Sequence, residues 1–220
     1  MRDAKVITSL SNDRVKAIKA LEMRKERKET GLFVAEGASL LITARDHGHV
    51  PQTLVYQAGE AETGLQKGLV IHALKEGAEV LEVSHAVLGK LASKDNPQTM
   101  LGVFKQLFAP APVPGTVKAD ATWLALEEIR DPGNLGTIIR TADATGIAGI
   151  ILVGTCCDPY SLEAVRATMG SIFAVPLVKM SQADFLALAG AWPGDVAGTH
   201  LRGEHDFRAV TLRSPQLIVM

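Results

Sequence analysis

The chain has 220 residues, of which 47% are apolar and 21% charged, and its formal net charge is −1. This composition is typical of a folded protein with a sizeable core, and it excludes a disordered, fibrous or histone-like basic protein. No apolar run approaches the roughly 18–20 residues of a membrane-spanning helix, and the N-terminus lacks an apolar signal-peptide core.

The N-terminal part is basic and alternates between helix and strand patterns. Residues 1–28 hold nine basic and four acidic side chains, a net charge of +5. Capping side chains at residues 11–13 predict the start of a helix, which Gly31 would end. We predict strands at residues 32–35, 53–56 and 69–72 and a helix at 39–47. The alternation predicts an α/β domain over residues 1–108.

Residues 109–119 are predicted to be a linker, because three prolines and a glycine fall within 109–115. The remainder, residues 120–220, is predicted to be a second α/β domain with a parallel sheet. We predict strands at 122–129, 148–153, 173–178, 196–199 and 217–220, and helices at 135–145, 158–169 and 184–189. The first of these helices carries an apolar stripe that should be buried: Leu135, Ile138, Ile139 and Ala142.

Ligands of parallel α/β sheets bind beyond the carboxyl ends of the strands. Four positions qualify: residues 130–134, 154–158 and 200–206, and whatever follows Met220. In the first loop, Gly133 and Gly136 flank a helix start, where backbone N–H groups favour an anion. Arg140 lies off the apolar stripe of the same helix, as a solvated arginine also would.

Two further chemistries are open. The polar side chains of residues 200–206 offer possible metal ligands, although their spacing matches no known motif: His200, Glu204, His205 and Asp206. Cys156 could be a nucleophile with His200 or His205 as its base, or simply a small buried thiol. Because Cys156 and Cys157 are adjacent and form no disulfide framework, a cytoplasmic location is the default expectation.

Three segments in order resemble the SpoU/TrmH RNA ribose methyltransferases of the SPOUT superfamily. Residues 131–142, DPGNLGTIIRTA, are similar to the first signature motif of that family. Residues 166–176, RATMGSIFAVP, and 196–203, VAGTHLRG, are similar to the segments that follow, with Thr168 where many members have Ser. The N-terminal segment resembles the substrate-binding domain of the two-domain members through residues 11–16, 24–25 and 31–37.

The resemblance implies an L30e-like N-terminal domain and a C-terminal parallel-sheet domain of the trefoil-knot type. It implies methyl transfer from S-adenosylmethionine to a ribose 2′-OH of structured RNA, with ribosomal 23S RNA favoured over tRNA, by a homodimer. Asn134 and Arg140 would be the catalytic residues. Since a guanidinium stays protonated, Arg140 would orient the hydroxyl and a phosphate or relay a proton through that phosphate. Asn134 would hold Arg140 or the ribose in place.

The resemblance also implies binding residues. Cofactor binding would involve Thr199, His200 and Leu201. RNA binding would involve basic side chains of both domains, which are Lys16, Arg24, Lys25, Arg27, Lys28 and Arg166. No metal is implied.

The second family motif, Gly-Asn-Glu-x-Gly, follows a strand like 217–220 in the family. We therefore expect the rest of the cofactor pocket after Met220, and residues 1–220 by themselves to bind S-adenosylmethionine poorly.

Two hypotheses of other classes remain. A non-catalytic RNA-binding module would bind RNA with strong salt dependence but would not methylate it. A metal-dependent hydrolase would purify with stoichiometric metal.

Overall fold

The computed structural model describes residues 4–92, 98–203 and 205–220, and within these ranges it contains two five-stranded sheets. The strands of the first sheet are β1 (Lys5–Ile7), β2 (Leu32–Glu36), β3 (Thr53–Gln57), β4 (Glu79–Val83) and β5 (Met100–Lys105). Their order is β1-β4-β3-β5-β2, and β5 runs antiparallel to both β2 and β3. The predicted N-terminal α/β unit is therefore a mixed sheet.

Five helices accompany this sheet in the described ranges: α1 (Asp13–Ala20), α2 (Arg24–Thr30), α3 (Ala38–Asp46), α4 (Gly64–Lys75) and α5 (His85–Leu91). The helix predicted from residues 11–13 to Gly31 has the correct ends, because Asn12 caps α1 and Gly31 ends α2 at φ +67°. The prediction of one continuous helix is wrong, since α1 ends at Ala20 and α2 begins at Arg24. The predicted strand at 69–72 is also wrong, because those residues lie inside α4.

The second sheet is all parallel. Its strands are β6 (Thr122–Glu127), β7 (Gly149–Val153), β8 (Leu177–Met180), β9 (Val196–Gly198) and β10 (Gln216–Val219), in the order β8-β7-β6-β10-β9. The helices are α6 (Pro132–Ala144), α7 (Leu162–Ala167) and α8 (Gln182–Gly190). The predicted β-α-β unit is confirmed as β6, α6 and β7. All five strands end at one edge of the sheet, here called the carboxyl edge.

Two predicted boundaries in this half are wrong. The helix expected from residue 158 begins only after Ser161, whose side chain accepts the Ala164 N–H. The strand expected over 173–178 is instead a short 3-10 helix, Ser171–Phe173, followed by β8. Asp158 instead accepts a hydrogen bond from Arg27, and the Phe173 ring packs against Phe104. The periodicity of the sequence does not indicate such contacts with the N-terminal half.

The two halves share one apolar core. The ring of Phe33 in β2 lies 4.7 Å from the ring of Tyr160, and the ring of Phe104 in β5 lies 4.8 Å from that of Phe173. Leu135, Ile139 and Ala142 of α6 belong to the same buried cluster, while Ile138 is only partly buried against it. The N-terminal half and α6 thus pack on one face of the parallel sheet, and α8 covers the other face.

In the described ranges, no helix is long and apolar enough to cross a bilayer. The predicted linker starts against the second sheet, because the Ala109 N–H donates to the Leu177 carbonyl at 2.8 Å.

Candidate active site and RNA-binding surface

The loop after β6 is shaped by its own side chains. Asp131 caps α6 by accepting the Asn134 N–H at 2.6 Å, and Pro132 occupies the first turn. Gly136 is required by packing, because a Cβ there would lie 2.5 Å from the Ala164 carbonyl oxygen. The sequence therefore fixes both where α6 begins and how closely α7 approaches it.

Asn134 and Arg140 are both exposed on α6. Six residues separate them, which is about 9 Å along the helix and a rotation of about 120° between the two side chains. Within the described residues, neither side chain makes a hydrogen bond or an ion pair. The structure thus leaves both side chains available to a ligand, and it does not bring Asn134 to Arg140 as a partner.

The segment after β9 carries the predicted cofactor residues. The Thr199 N–H and hydroxyl both donate to the Val219 carbonyl, at 2.8 and 3.2 Å, and so join this turn to the end of β10. His200 accepts the Arg202 N–H on Nδ1 at 3.0 Å. Leu201 is fully exposed. These contacts hold the turn at the carboxyl edge. The Leu201 side chain and the His200 ring face solvent there.

Strand order brings these two loops to the same part of the edge. Strands β6 and β9 flank β10, so their ends lie about 10 Å apart. An adenosine-sized ligand spans that distance, and Leu201 offers it apolar surface. The residues described around this edge fit part of a binding site for S-adenosylmethionine.

Two of the predicted RNA-binding arginines connect the halves of the chain. Arg27 is buried: its Nε donates to Asp158 at 2.8 Å, and its Nη1 donates to the carbonyls of Leu21 and Glu22. Arg166 pairs with the buried Glu36 at 2.5 Å. The position of Arg27 does not fit an RNA contact, because its donors are already used inside the protein.

The other predicted RNA contacts are on the surface. Lys16 lies 3.1 Å from Asp13, and Lys25 lies 3.8 Å from Glu29. Arg24 and Lys28 instead line a cavity between the halves, together with Lys179. Lys179 was not among the predicted contacts, because it comes just after the predicted strand at 173–178 and nothing in the neighbouring sequence marks a cavity there.

The cysteines and the metal candidates do not assemble into sites. Cys156 Sγ donates to the Val153 carbonyl at 3.3 Å, and burial raises the pKa of both thiols, that of Cys157 to about 11. His200 follows β9, three strands from β7, or about 14 Å away. Cys156 is thus the small, half-buried thiol rather than part of a dyad with His200.

Asp206 pairs with Arg208 at 2.6 Å, and Glu204 lies outside the described residues. Across the part of the chain that the structure describes, no three His, Cys, Asp or Glu side chains group as metal ligands.

Known proteins share this arrangement. A model of the SpoU rRNA Methylase family matches residues 121–220, and a model of the MRM3-like substrate binding domain matches residues 12–102. The AdoMet-bound rRNA methyltransferase from Sinorhizobium meliloti is 43% identical and superposes with a TM-score of 0.88, covering 99% of this chain and 80% of that chain.

Curated relatives point the same way. An uncharacterized tRNA/rRNA methyltransferase of Synechocystis sp. is 35% identical over 181 residues. The matched segment covers 79% of this chain and 62% of that protein. The 23S rRNA (guanosine(2553)-2′-O)-methyltransferase RlmP of Bacillus subtilis is 29% identical over 94% of this chain, which spans 77% of that protein.

Proposed function

The chain belongs to the SpoU rRNA methylase family, and we propose that it transfers a methyl group from S-adenosylmethionine to a ribose 2′-hydroxyl of ribosomal RNA. The observation that carries this proposal is the placement of one motif. Asn134 and Arg140 sit exposed on the helix that follows β6, without a hydrogen-bond or ion-pair partner among the described residues. The loop before that helix lies about 10 Å along the sheet edge from the turn of residues 199–201.

S-adenosylmethionine supplies a methyl group already activated by the sulfonium, so the protein has to position the acceptor. The planar fork of Arg140 suits simultaneous contact with the 2′-hydroxyl and an adjacent phosphate. Asn134 offers one donor and one acceptor group to the ribose. Because the two side chains point about 120° apart on α6, we propose that each contacts the RNA directly rather than through the other.

Thr199, His200 and Leu201 are proposed to contact the cofactor. The Thr199 hydroxyl already donates to Val219, so its role is to hold the turn in place. His200 and Leu201 face solvent and supply the contact surface.

The wider organisation follows the same proposal. Residues 1–108 would bind RNA and residues 120–220 would carry the chemistry, in a trefoil-knot domain, with 109–119 between them. We propose 23S rRNA as substrate, as for the Bacillus relative, and a cytoplasmic location with that substrate. A homodimer through the C-terminal domain would cover Val196, which is exposed in β9.

The test uses purified full-length protein, large-subunit rRNA and methyl-labelled S-adenosylmethionine. We expect label in the RNA at one nucleotide, and that nucleotide should resist alkaline cleavage, because a methylated 2′-oxygen cannot attack the phosphate. Label in a base, or salt-dependent RNA binding without any transfer, would contradict the proposal, and the second result would favour the RNA-binding module.

A further inference from the structure

A cavity of about 710 Å³ lies between the two halves of the chain. Arg24 and Lys28 of α2 line it from the N-terminal side, and Lys179 at the end of β8 lines it from the C-terminal side. Its wall includes Phe108 and the loop of residues 154–159 after β7. The cavity thus opens at the carboxyl edge, but on the β7–β8 side of the catalytic loop after β6.

The cavity has an excess of positive charge. Its described lining holds three cationic side chains and a single acid, Asp158. Both oxygens of that acid are occupied within the protein, since Oδ2 accepts from Arg27 Nε at 2.8 Å and Oδ1 accepts the Tyr160 N–H at 2.9 Å. Because Arg27 offsets the charge of Asp158, the three lining cations have no ion-pair partner of their own among the described residues.

Neighbouring groups position two of the three cations. Lys179 Nζ lies 3.8 Å from the centroid of the Phe108 ring. Arg24 donates from Nη2 to the Cys156 carbonyl at 3.4 Å, which fixes α2 against the loop after β7. Burial lowers the pKa of Lys179; Asp158 opposes that effect, whereas Arg24 and Lys28 add to it. An anion placed among the three would relieve their mutual repulsion.

We propose that this cavity binds a backbone phosphate of the RNA substrate, an inference that rests on the proposed function. Two lysines and an arginine are donors suited to phosphate oxygens. Since β7 neighbours β6 in the sheet, an RNA strand lying along the carboxyl edge passes this cavity and the loop that carries Asn134. The phosphate contact therefore fixes the register of the RNA strand between the two halves of the protein, as phosphate contacts do in other protein–nucleic acid complexes.

The test compares Lys28→Ala with Lys67→Ala in the full-length protein. Both lysines are exposed on helices, but Lys67 lies in α4, is not a predicted RNA contact and does not line the cavity. We measure the affinity for a labelled transcript of large-subunit rRNA between 50 and 300 mM KCl, which are roughly the salt conditions where phosphate contacts show.

We expect Lys28→Ala to weaken RNA binding about tenfold, the effect of one charge-assisted hydrogen bond. The slope of log affinity against log salt should fall by about 0.7–0.9, and Lys28→Arg should restore both values. Lys67→Ala should leave affinity and slope near wild type. Equal losses in the two alanine variants, or no loss in either, would overturn the proposal.

A second arm titrates inorganic phosphate by calorimetry at constant ionic strength. If phosphate binding depends on Lys28 while RNA affinity does not, the cavity serves a free anion and the proposal is wrong. Methyl transfer is assayed in parallel. Lys28-dependent RNA binding without transfer would overturn the proposed function but support the cavity, whereas transfer with no dependence on Lys28 would do the reverse.

Discussion

Arg27 and Arg140 belong to two regions that differ in almost every physical respect. Arg27 lies in the interface between the halves, where its side chain is 5% exposed and its donors go to Asp158 and two carbonyls. Arg140 lies on the exposed face of α6, about 9 Å along the helix from Asn134, with no hydrogen-bond or ion-pair partner among the described residues. The comparison teaches that burial and partners, which composition does not show, distinguish an arginine that holds the halves together from one that is available for the proposed chemistry.

The largest effect should come from Arg27→Ala. Removing the arginine leaves Asp158 without its ion-pair partner and leaves two carbonyl oxygens without the donor that they share. The loss should lower the free energy of unfolding by about 3–5 kcal/mol. Urea denaturation measures this. Lys25→Ala, on the exposed face of the same helix, should change the value by less than about 0.5 kcal/mol. A similar small change in both variants would show that the interface does not depend on the buried arginine.

Gly136→Ala should have the next largest effect. Its Cβ would meet the Ala164 carbonyl oxygen and the Ala167 Cβ at 2.5 Å, so α7 has to move, at a cost of about 1–3 kcal/mol. Gly68→Ala is the matched control, because it lies inside α4 with nothing within 4 Å and should gain about 0.5–1 kcal/mol. Equal behaviour of the two in thermal unfolding would contradict the close contact between α6 and α7.

Tyr160→Phe should have a smaller effect on the same interface. The Tyr160 hydroxyl accepts the Leu107 N–H at 2.7 Å, and its loss leaves that donor unpaired, at about 1–2 kcal/mol. Denaturant unfolding checks the value. A neutral result would mean that another acceptor, such as water, replaces the hydroxyl.

The smallest effect concerns the two thiols. Burial, and then the neighbouring Cys156 and Asp131, raise the pKa of Cys157 to about 11. Alkylation by iodoacetamide needs the thiolate, so its rate should keep rising by about tenfold per pH unit from pH 7 to 10, where an exposed peptide thiol levels off. Mass spectrometry measures the rate of alkylation at Cys157. A rate that stops rising near pH 8.5 would show that the loop after β7 leaves this thiol exposed to solvent.

Local rules in the sequence predicted the start and the buried face of α6 in the C-terminal half well. Asp131 and Pro132 mark the start of α6, and its apolar stripe identifies the buried face, so both were readable from residues a few positions apart. The prediction failed where remote partners decide. Val70 and Ile71 are β-branched and apolar like strand residues. Leu69 and Ala73, however, lie about one turn apart on α4 and are buried in the same core as Tyr56.

The candidate site follows the same division. The motif of residues 131–142 located Asn134 and Arg140 in advance, since both lie on one helix. The cavity was not predicted, because it combines Lys28 from α2 with Lys179 from β8, about 150 residues later in the chain. Nor does net charge distinguish Arg27 from Lys28, although one is buried in an ion pair and the other faces solvent.

The central claim is that Arg140 serves chemistry and not stability, and one variant measured in two ways tests it. For Arg140→Ala in the full-length protein, methyl transfer to large-subunit rRNA should fall by at least about 100-fold, as for loss of a preorganised donor. The unfolding free energy should stay within about 0.5 kcal/mol of wild type, and Asp143→Ala, one turn further along α6, should keep both values. Retained transfer, or a loss of stability that accounts for the lost transfer, would contradict the account.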